Sequence, residues 1–157
     1  MKVLLSNDDG IKAPGLKALY AALKQGMDVW VSAPAGQCSA QSHAFSLGKT
    51  LRVDKKGNRE VAVHGTPADA VYYGMHRLMP TQPDWVVSGV NAGSNLGTDV
   101  HYSGTVAAAM EGVLYGVHGL AVSLHGVERD PGANFEHAAK WARKVLDILP
   151  DYVGKSA

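Results

Sequence analysis

The sequence predicts an α/β fold: a doubly wound, mostly parallel sheet with helices on both faces and a small β-hairpin insertion. Short apolar runs that end in loop residues alternate along the chain with longer segments of helical periodicity, which is the pattern of a parallel sheet covered by helices. The 157 residues are 46% hydrophobic and 18% charged, a composition typical of a domain with its own core. Because no repeat, low-complexity tract or linker interrupts the chain, residues 1–157 are predicted to form one domain.

The first half of the chain predicts two strands, one helix and the hairpin. An apolar run that ends in Asn-Asp-Asp-Gly is typical of a buried parallel strand that meets a loop. Pro14 and Gly15 then open a segment with apolar residues at helical spacing, and Gly26 is placed to end it. The predicted elements are a strand at 3–6, a helix at 14–25, a strand at 29–32 and a hairpin that pairs 51–53 with 60–63.

The second half predicts three helices and two strands. Thr66 offers a capping hydroxyl, and it is followed by a proline in the first turn and by Asp69 at the positive end of the helix dipole. The predicted elements are a helix at 67–79, a strand at 84–88, a glycine-rich loop at 89–104, a helix at 105–115, a strand at 120–124 and a helix at 134–149. The helix at 105–115 is expected to bury its large apolar residues, which are Val106, Met110, Val113 and Leu114.

Balanced charge and short apolar runs exclude several functional classes. A net charge of +1 gives no basic footprint for duplex nucleic acid. No apolar run reaches the roughly 18 residues that a membrane-spanning helix needs. The N-terminus enters a strand pattern directly, so that neither a signal peptide nor a membrane anchor is expected. The single cysteine, Cys38, excludes an intramolecular disulfide and suits the reducing cytoplasm, where the protein is expected to act.

Parallel sheets bind ligands at the carboxyl ends of their strands, which directs attention to the loops at 6–14, 33–46 and 88–105. The first loop places Asp8 and Asp9 side by side. Two adjacent carboxylates repel each other unless a cation neutralises them, and Mg²⁺ or Mn²⁺ prefers such oxygen ligands. The alternative interpretation is an ordinary polar turn, because Asn, Asp and Gly dominate turns.

The third loop adds amide side chains and a helix start. Asn91 and Asn95 lie in a glycine-rich stretch, where their amides offer carbonyl oxygens to a cation or N–H groups to a phosphate. Ser103, Gly104 and Thr105 then begin a helix, whose free backbone N–H groups and positive dipole end suit a phosphate dianion. Alone, Ser103 is better explained as an N-cap, but beside an acidic metal loop phosphate binding becomes the favoured interpretation.

Other catalytic arrangements find little support. No Gly-x-Ser-x-Gly elbow accompanies the seven histidines, which disfavours a serine nucleophile, and the histidines lack zinc-ligand spacing. Cys38 has no obvious base beside it and is interpreted as a bystander, whereas His101 is a candidate for proton transfer. In the second loop, Ser39 is either a neutral metal ligand or one more solvated serine, and residue types alone do not separate these readings.

Six segments, in a fixed order over residues 1–124, carry a recognisable pattern. They are LSNDDG (5–10), APG (13–15), AP (33–34), GTPAD (65–69), PDWVVSGVNAGSNLG (83–97) and YSGTVAAAMEG (102–112). Together these segments resemble the SurE family of nucleotidases, the survival-protein-E or stationary-phase survival acid phosphatases. The resemblance implies a Rossmann-like domain that hydrolyses nucleoside 5′- and 3′-monophosphates to nucleoside and phosphate, with one divalent cation, Mg²⁺ or Mn²⁺, per subunit.

The resemblance also implies a role for each candidate residue. The positions that match the family's metal ligands are Asp8, Asp9, Ser39 and Asn91, of which Asp8 and Asp9 are the predicted catalytic residues. The positions that match its phosphate-binding residues are Asn95, Ser103, Gly104 and Thr105. Ahead of Ser39 this chain has Ala-Gly-Gln-Cys where the family usually has an Asp-Arg stretch, which leaves substrate preference open.

The length of the chain is the larger departure from the family. Family members usually continue through a further segment that exchanges between subunits, so that the resemblance implies a homodimer or tetramer. That C-terminal oligomerisation segment is expected to be absent from residues 1–157.

The predicted activity is metal-assisted hydrolysis of a phosphomonoester. The main alternative is a truncated module that binds nucleotide or phosphate without turnover. Phosphatases with an aspartyl nucleophile after the first strand are disfavoured, because they generally need Asp-x-Asp and this chain has Asp8-Asp9-Gly10. Whether Asp9 acts only as a ligand, as a base or as the nucleophile stays open at the level of sequence.

Overall fold

A computed structural model describes residues 1–38, 41–126 and 134–149 of the chain. Its strands are β1 (Lys2–Ser6), β2 (Asp28–Pro34), β3 (Val53–Gly57), β4 (Glu60–Val63), β5 (Trp85–Ala92) and β6 (His118–Leu124). Its α-helices are α1 (Pro14–Leu23), α2 (Pro67–Tyr73), α3 (Gly104–Leu114) and α4 (Phe135–Ile148). No helix within these described ranges has the length and apolar character that a membrane crossing requires.

The six strands form one sheet in the order β3-β4-β2-β1-β5-β6. Every neighbouring pair is parallel except β3 and β4, the hairpin, which joins the sheet through β4 beside β2. From β1 the chain moves first to β2 on one side and later to β5 on the other, so that a topological switch point lies at the carboxyl end of β1. The predicted fold class, a mostly parallel Rossmann-like sheet, is confirmed.

Helices cover both faces of the sheet. Successive residues of a strand point to opposite sides, so that a continuous apolar run has two apolar faces that helices can bury. In β1, Val3 and Leu5 pack in the cluster that contains apolar residues of α1 and α4, such as Leu19 and Leu146. Leu4 packs on the other face with residues of α2 and α3. The strands are therefore buried on both sides, as their continuous apolar runs predicted.

The expected buried face of α3 was wrong for three of the four residues. Met110, Val113 and Leu114 are 49%, 55% and 69% exposed, and only Val106 is half-buried. The side that faces the sheet is instead made of small residues, because α3 lies very close to β5 and β6. A Cβ on Gly112 would come 2.5 Å from a methyl group of Val86. Periodicity does not reveal such a close approach, since nearly every residue of this helix is apolar or small.

Several element boundaries also differ from the prediction. The capping box at Thr66 is present, with Asp69 bonded in both directions, but α2 is α-helical only to Tyr73 and continues as a π-helical turn at Gly74–Leu78. Strand β5 runs on to Ala92, into the predicted loop, which then contains a 3₁₀ turn at Gly97–His101. These differences leave the carboxyl ends of β1 and β5 as the start of the candidate loops.

A part-buried hydrogen bond between His43 and Glu111 holds the segment 41–47 against α3. The Glu111 side chain is 6% exposed, and its Oε2 lies 2.6 Å from His43 Nε2. Nearby, the Ser46 N–H donates to Asp69 Oδ1 at 3.0 Å, which ties the same segment to the start of α2. The sequence analysis missed this pair, because its members lie 68 residues apart and neither has a helical or strand-register relation to the other.

Replacing His43 by Ala is expected to lower the free energy of unfolding by about 1.5–3 kcal/mol, because the buried Glu111 carboxyl loses its partner. The measurement is urea unfolding followed by circular dichroism at neutral pH. His137→Ala, at an exposed position on α4, is the matched control and is expected to change stability by less than about 0.5 kcal/mol. Equal midpoints for the two variants would contradict the structural role of the pair.

Candidate active site

The loop after β1 is shaped by Asn7 and Gly10. The Asn7 Nδ2 group donates to the Gly10 carbonyl at 3.0 Å, and Asn7 Oδ1 accepts from the Gly10 N–H at 3.1 Å. Gly10 has a φ of +98°, and a Cβ there would come 3.0 Å from the Gly36 carbonyl carbon. This position therefore needs glycine. The closed loop presents Asp8 and Asp9 at the carboxyl edge of the sheet.

The first turn of α3 lies directly against Asp8. A Cβ on Gly104 would come 2.8 Å from the Asp8 Cβ and 3.1 Å from its Oδ2, so that only glycine allows the helix to start this close. The buried Thr105 hydroxyl donates to Asp8 Oδ1. Ser103 is the N-cap, and its Oγ accepts from the Val106 N–H at 3.2 Å. An acidic loop and a helix N-terminus, predicted separately from sequence, are thus in contact.

The electrostatics of Asp8 follow from its burial. The residue is 6% exposed, and burial raises the pKa of its carboxyl above the ordinary value. The hydrogen bond from Thr105 lowers this pKa, and the neighbouring Asp9 carboxylate raises it again. A cation at this position would favour the ionised carboxylate, because an opposite charge offsets both desolvation and the repulsion between the two acids.

Asp9 contacts the end of β5, which also carries Asn91. Ser6, the last residue of β1, is the register partner of Ser88 in β5, so that the acidic loop after β1 lies beside the last residues of β5. The Ala92 N–H donates to Asp9 Oδ2 at 3.2 Å, and Asn91 Nδ2 donates to the Gly93 carbonyl at 2.9 Å. The half-buried Asp9 and Asn91 therefore keep one side-chain oxygen each for a ligand.

The donor set fits a hard divalent cation. The Thr105 hydroxyl bonds to Asp8 Oδ1, the Ala92 N–H bonds to Asp9 Oδ2, and Asn91 donates through Nδ2, so that these bonds leave Asp9 Oδ1 and Asn91 Oδ1 to a ligand. The backbone N–H of Thr105 also bonds to the Asp8 carboxyl. Two carboxylates with a neutral carbonyl oxygen are the ligands that Mg²⁺ and Mn²⁺ prefer. Within the described ranges no group of three His, Cys, Asp or Glu side chains gathers, so that a cation here would need neutral oxygen ligands beside the two carboxylates.

Four further candidates were named from the sequence: Ser39, Asn95, Cys38 and His101. Ser39 lies outside the described residues. Asn95 lies on the loop after β5, where its Nδ2 donates to Ser123 Oγ at 2.7 Å. Burial raises the pKa of the Cys38 thiol, with Asp8 and Asp69 acting in the same direction, which is unfavourable for a thiolate nucleophile. His101 lies in the 3₁₀ turn, and its carbonyl accepts from the Ser42 hydroxyl at 2.9 Å.

Two residues that support the site were missed by the sequence analysis. Asn7 closes the acidic loop, and its place within the Asn-Asp-Asp-Gly turn was a signal that could have identified it. Ser123 contacts Asn95 from β6, and no local pattern marks it, because the partners are 28 residues apart.

Comparisons with known proteins show what this chain is similar to. The family model described as "Survival protein SurE" matches residues 3–156. The chain is 58% identical over 155 residues to a protein named 5′-nucleotidase SurE from Anaeromyxobacter sp. (strain Fw109-5), covering 96% of this chain and 59% of the relative. It is 50% identical over 145 residues to the protein of the same name from Geotalea daltonii, covering 92% of this chain and 58% of the relative.

A solved structure extends the likeness to three dimensions. The crystal structure of the SurE protein from Aquifex aeolicus superposes with a TM-score of 0.89 and 38% sequence identity, over 96% of this chain and 60% of that one. The chain spans about three fifths of the length of the curated relatives it matches. With the family model matched along nearly its whole length, the chain belongs to the SurE family.

Proposed function

We propose that this chain carries the site of a divalent-metal-dependent phosphomonoesterase that hydrolyses nucleoside 5′- and 3′-monophosphates to nucleoside and phosphate. The observation that carries the proposal is the contact between the first turn of α3 and the buried Asp8. Hydrolysis of a phosphate monoester needs positive charge and N–H donors around the transferring phosphoryl group, which the proposed cation and the start of α3 would supply at this point. The names of the relatives, 5′-nucleotidase SurE, support the 5′-nucleotidase part of the proposal.

In this proposal the acidic loop and β5 hold the cation. Asp8, Asp9 and Asn91 supply oxygen ligands from the described residues, and Ser39 is the proposed fourth ligand. When bound, one Mg²⁺ or Mn²⁺ per subunit acts as a Lewis acid toward a phosphate oxygen and lowers the pKa of a bound water. Thr105 would orient the Asp8 carboxyl toward the cation through its hydroxyl and its backbone N–H.

The phosphate is bound by the start of α3. The backbone N–H groups of Gly104 and Thr105 are the first two of the helix and have no intrahelical partner. The Thr105 N–H bonds to the Asp8 carboxyl, so that in this proposal the Gly104 N–H donates to the phosphate. The positive end of the helix dipole adds to their attraction for a dianion. The Ser103 hydroxyl and the Asn95 amide complete the proposed donor set beside the metal ligands.

The experiment that tests the proposed function is phosphate release from AMP and GMP, with Mg²⁺ or Mn²⁺ and with EDTA. Release that requires the metal supports the nucleotidase. Metal-dependent binding of AMP without release would instead favour the alternative, a binding module without turnover. Absence of both binding and release would contradict the proposed site altogether.

Replacing Ser103 by Ala is expected to weaken phosphate binding about 3- to 10-fold while leaving the Mg²⁺ dissociation constant unchanged, because the hydroxyl faces the helix start rather than the carboxylates. Isothermal titration of each ligand measures both effects. Asn134→Ala is the matched control, since it removes the N-cap of α4 without touching the site. Equal loss of metal and phosphate affinity in S103A would contradict the separation of roles.

We further propose a cytoplasmic location and assembly as a homodimer or tetramer. The single cysteine suits a reducing compartment. The exposed apolar residues of α3 are compatible with a subunit contact. Sedimentation velocity of the purified chain tests the assembly, and a monomer at all accessible concentrations would contradict it.

A further inference from the structure

We propose that Ser123, at the carboxyl end of β6, is a positioning residue that holds the Asn95 side chain for phosphate binding. This inference rests on the proposed function, in which Asn95 contributes to the phosphate site. Nothing in the local sequence assigns a role to Ser123. The assignment comes from the way in which the end of β6 contacts the loop after β5.

Asn95 lies where its own backbone gives little support. It is flanked by Gly93 and Gly97, which have φ values of +135° and +57°, and residues 94–96 belong to no helix or strand. A side chain on such a segment has no neighbouring turn of its own to fix its rotamer. Its position must therefore be set by contacts from another element if it is to bind a ligand in a defined geometry.

The end of β6 supplies these contacts residue by residue. The Asn95 Nδ2 group donates to Ser123 Oγ at 2.7 Å. The Gly93 N–H donates to the Leu124 carbonyl at 3.1 Å, and Ser94 Oγ lies 3.3 Å from His125 Nδ1. Three consecutive residues of the loop are thus held by three consecutive residues that end or follow β6.

Ser123 also lies beside a proposed metal ligand in the sheet. In the β5–β6 ladder it is the register partner of Asn91, the proposed metal ligand. The half-buried Ser123 thus pairs in the sheet with Asn91, a proposed metal ligand. Its hydroxyl accepts a hydrogen bond from Asn95, a proposed phosphate ligand. Because Ser123 Oγ accepts one amide hydrogen, the second N–H of Asn95 is left to donate to a phosphate oxygen.

The test is a double-mutant cycle on phosphate release from AMP with Mg²⁺. Ser123→Ala is expected to raise KM about 3- to 10-fold with less than about a twofold change in kcat, as the loss of one ground-state positioning bond predicts. Ser123→Thr keeps the hydroxyl and is expected to stay within about twofold of the parent chain. In the Asn95→Ala background, Ser123→Ala is expected to have no further effect.

Thr81→Ala is the matched control, because it also removes a hydroxyl that accepts a hydrogen bond, here from Lys2 Nζ. Thr81 precedes β5 and lies at the amino-terminal ends of the strands, away from the site. It is expected to leave KM unchanged. An unchanged KM in S123A, or effects of S123A and N95A that simply add, would overturn the inference. An equal loss in S123A and S123T would overturn it too, since the hydroxyl would then not be the cause.

A second readout does not depend on turnover. In the ¹H–¹⁵N spectrum of the chain without ligands, S123A is expected to shift the side-chain amide signals of Asn95, whereas T81A leaves them in place. If the parent chain releases no phosphate, the proposed function fails, and the same cycle is measured as the affinity for inorganic phosphate with Mg²⁺. Unshifted Asn95 signals, or an S123A affinity equal to that of the parent chain, would then overturn the role of Ser123.

Discussion

Replacing Asp9 by Asn is expected to weaken Mn²⁺ binding at least about 100-fold and to remove metal-dependent phosphate release. Losing even an indirect partner of a metal ligand typically costs about 10- to 100-fold in affinity, and Asp9 is a proposed direct ligand. The fold is expected to survive, because Asn keeps a carbonyl oxygen that accepts from the Ala92 N–H. Asp9 is also half-buried rather than part of the apolar core.

Isothermal titration with Mn²⁺ measures the loss of metal affinity, and a thermal melt in EDTA measures whether the fold survives. Asp99→Asn is the matched control, since it removes the same charge from the exposed 3₁₀ turn between Asn95 and Ser103. Unchanged Mn²⁺ affinity in D9N would contradict the ligand assignment. Loss of the unfolding transition in D9N alone would instead show that Asp9 is structural.

Replacing Gly15 by Ala is expected to lower the free energy of unfolding by about 3 kcal/mol. At most helical positions this change is favourable by about 1 kcal/mol, because alanine has the higher helix propensity. Here α1 crosses the end of β5, where a Cβ would fall inside van der Waals contact with the Val90 carbonyl oxygen and 2.9 Å from its carbon. The neighbour is backbone in a central strand and has no rotamer with which to move away.

The same clash links α1 to the site, because Val90 precedes the proposed metal ligand Asn91. G15A is therefore expected to weaken Mn²⁺ binding as well as stability, when both are measured by titration and urea unfolding. Gly57→Ala is the control: a Cβ at Gly57 meets no atom within 4 Å, and its expected effect is below about 0.5 kcal/mol. Equal stability of G15A and G57A would contradict the close approach.

Much of the fold could be predicted because the strands are buried on both faces. Such strands appear as short apolar runs, and β1, β2 and β5 begin within one residue of the predicted starts. Helix α3 shows the limit of this reasoning. Its contact surface is set by how closely Gly112 approaches Val86, a tertiary distance that no periodicity of its mostly apolar sequence reports.

The candidate site, too, could be predicted from the sequence only in part. Asp8, Asp9 and Ser103 stand out in sequence, because acids after a strand and a hydroxyl before a helix have local chemical meanings. The contact of Gly104 with Asp8 and the bond between Asn95 and Ser123 join residues that are distant in the chain. Such pairs exist only after the sheet order is set, so that the sequence indicated the proposed ligands but not the residues that hold them.

The central claim is that metal and phosphate meet at one site, between the acidic loop and the start of α3. Its most direct test is the affinity of the chain for inorganic phosphate, measured by isothermal titration in saturating Mg²⁺ and in EDTA. Because binding free energies are reciprocally coupled, a shared site predicts phosphate binding at least about 10-fold tighter with Mg²⁺. Equal affinities in the two conditions would show that the ligands bind independently and would contradict the account.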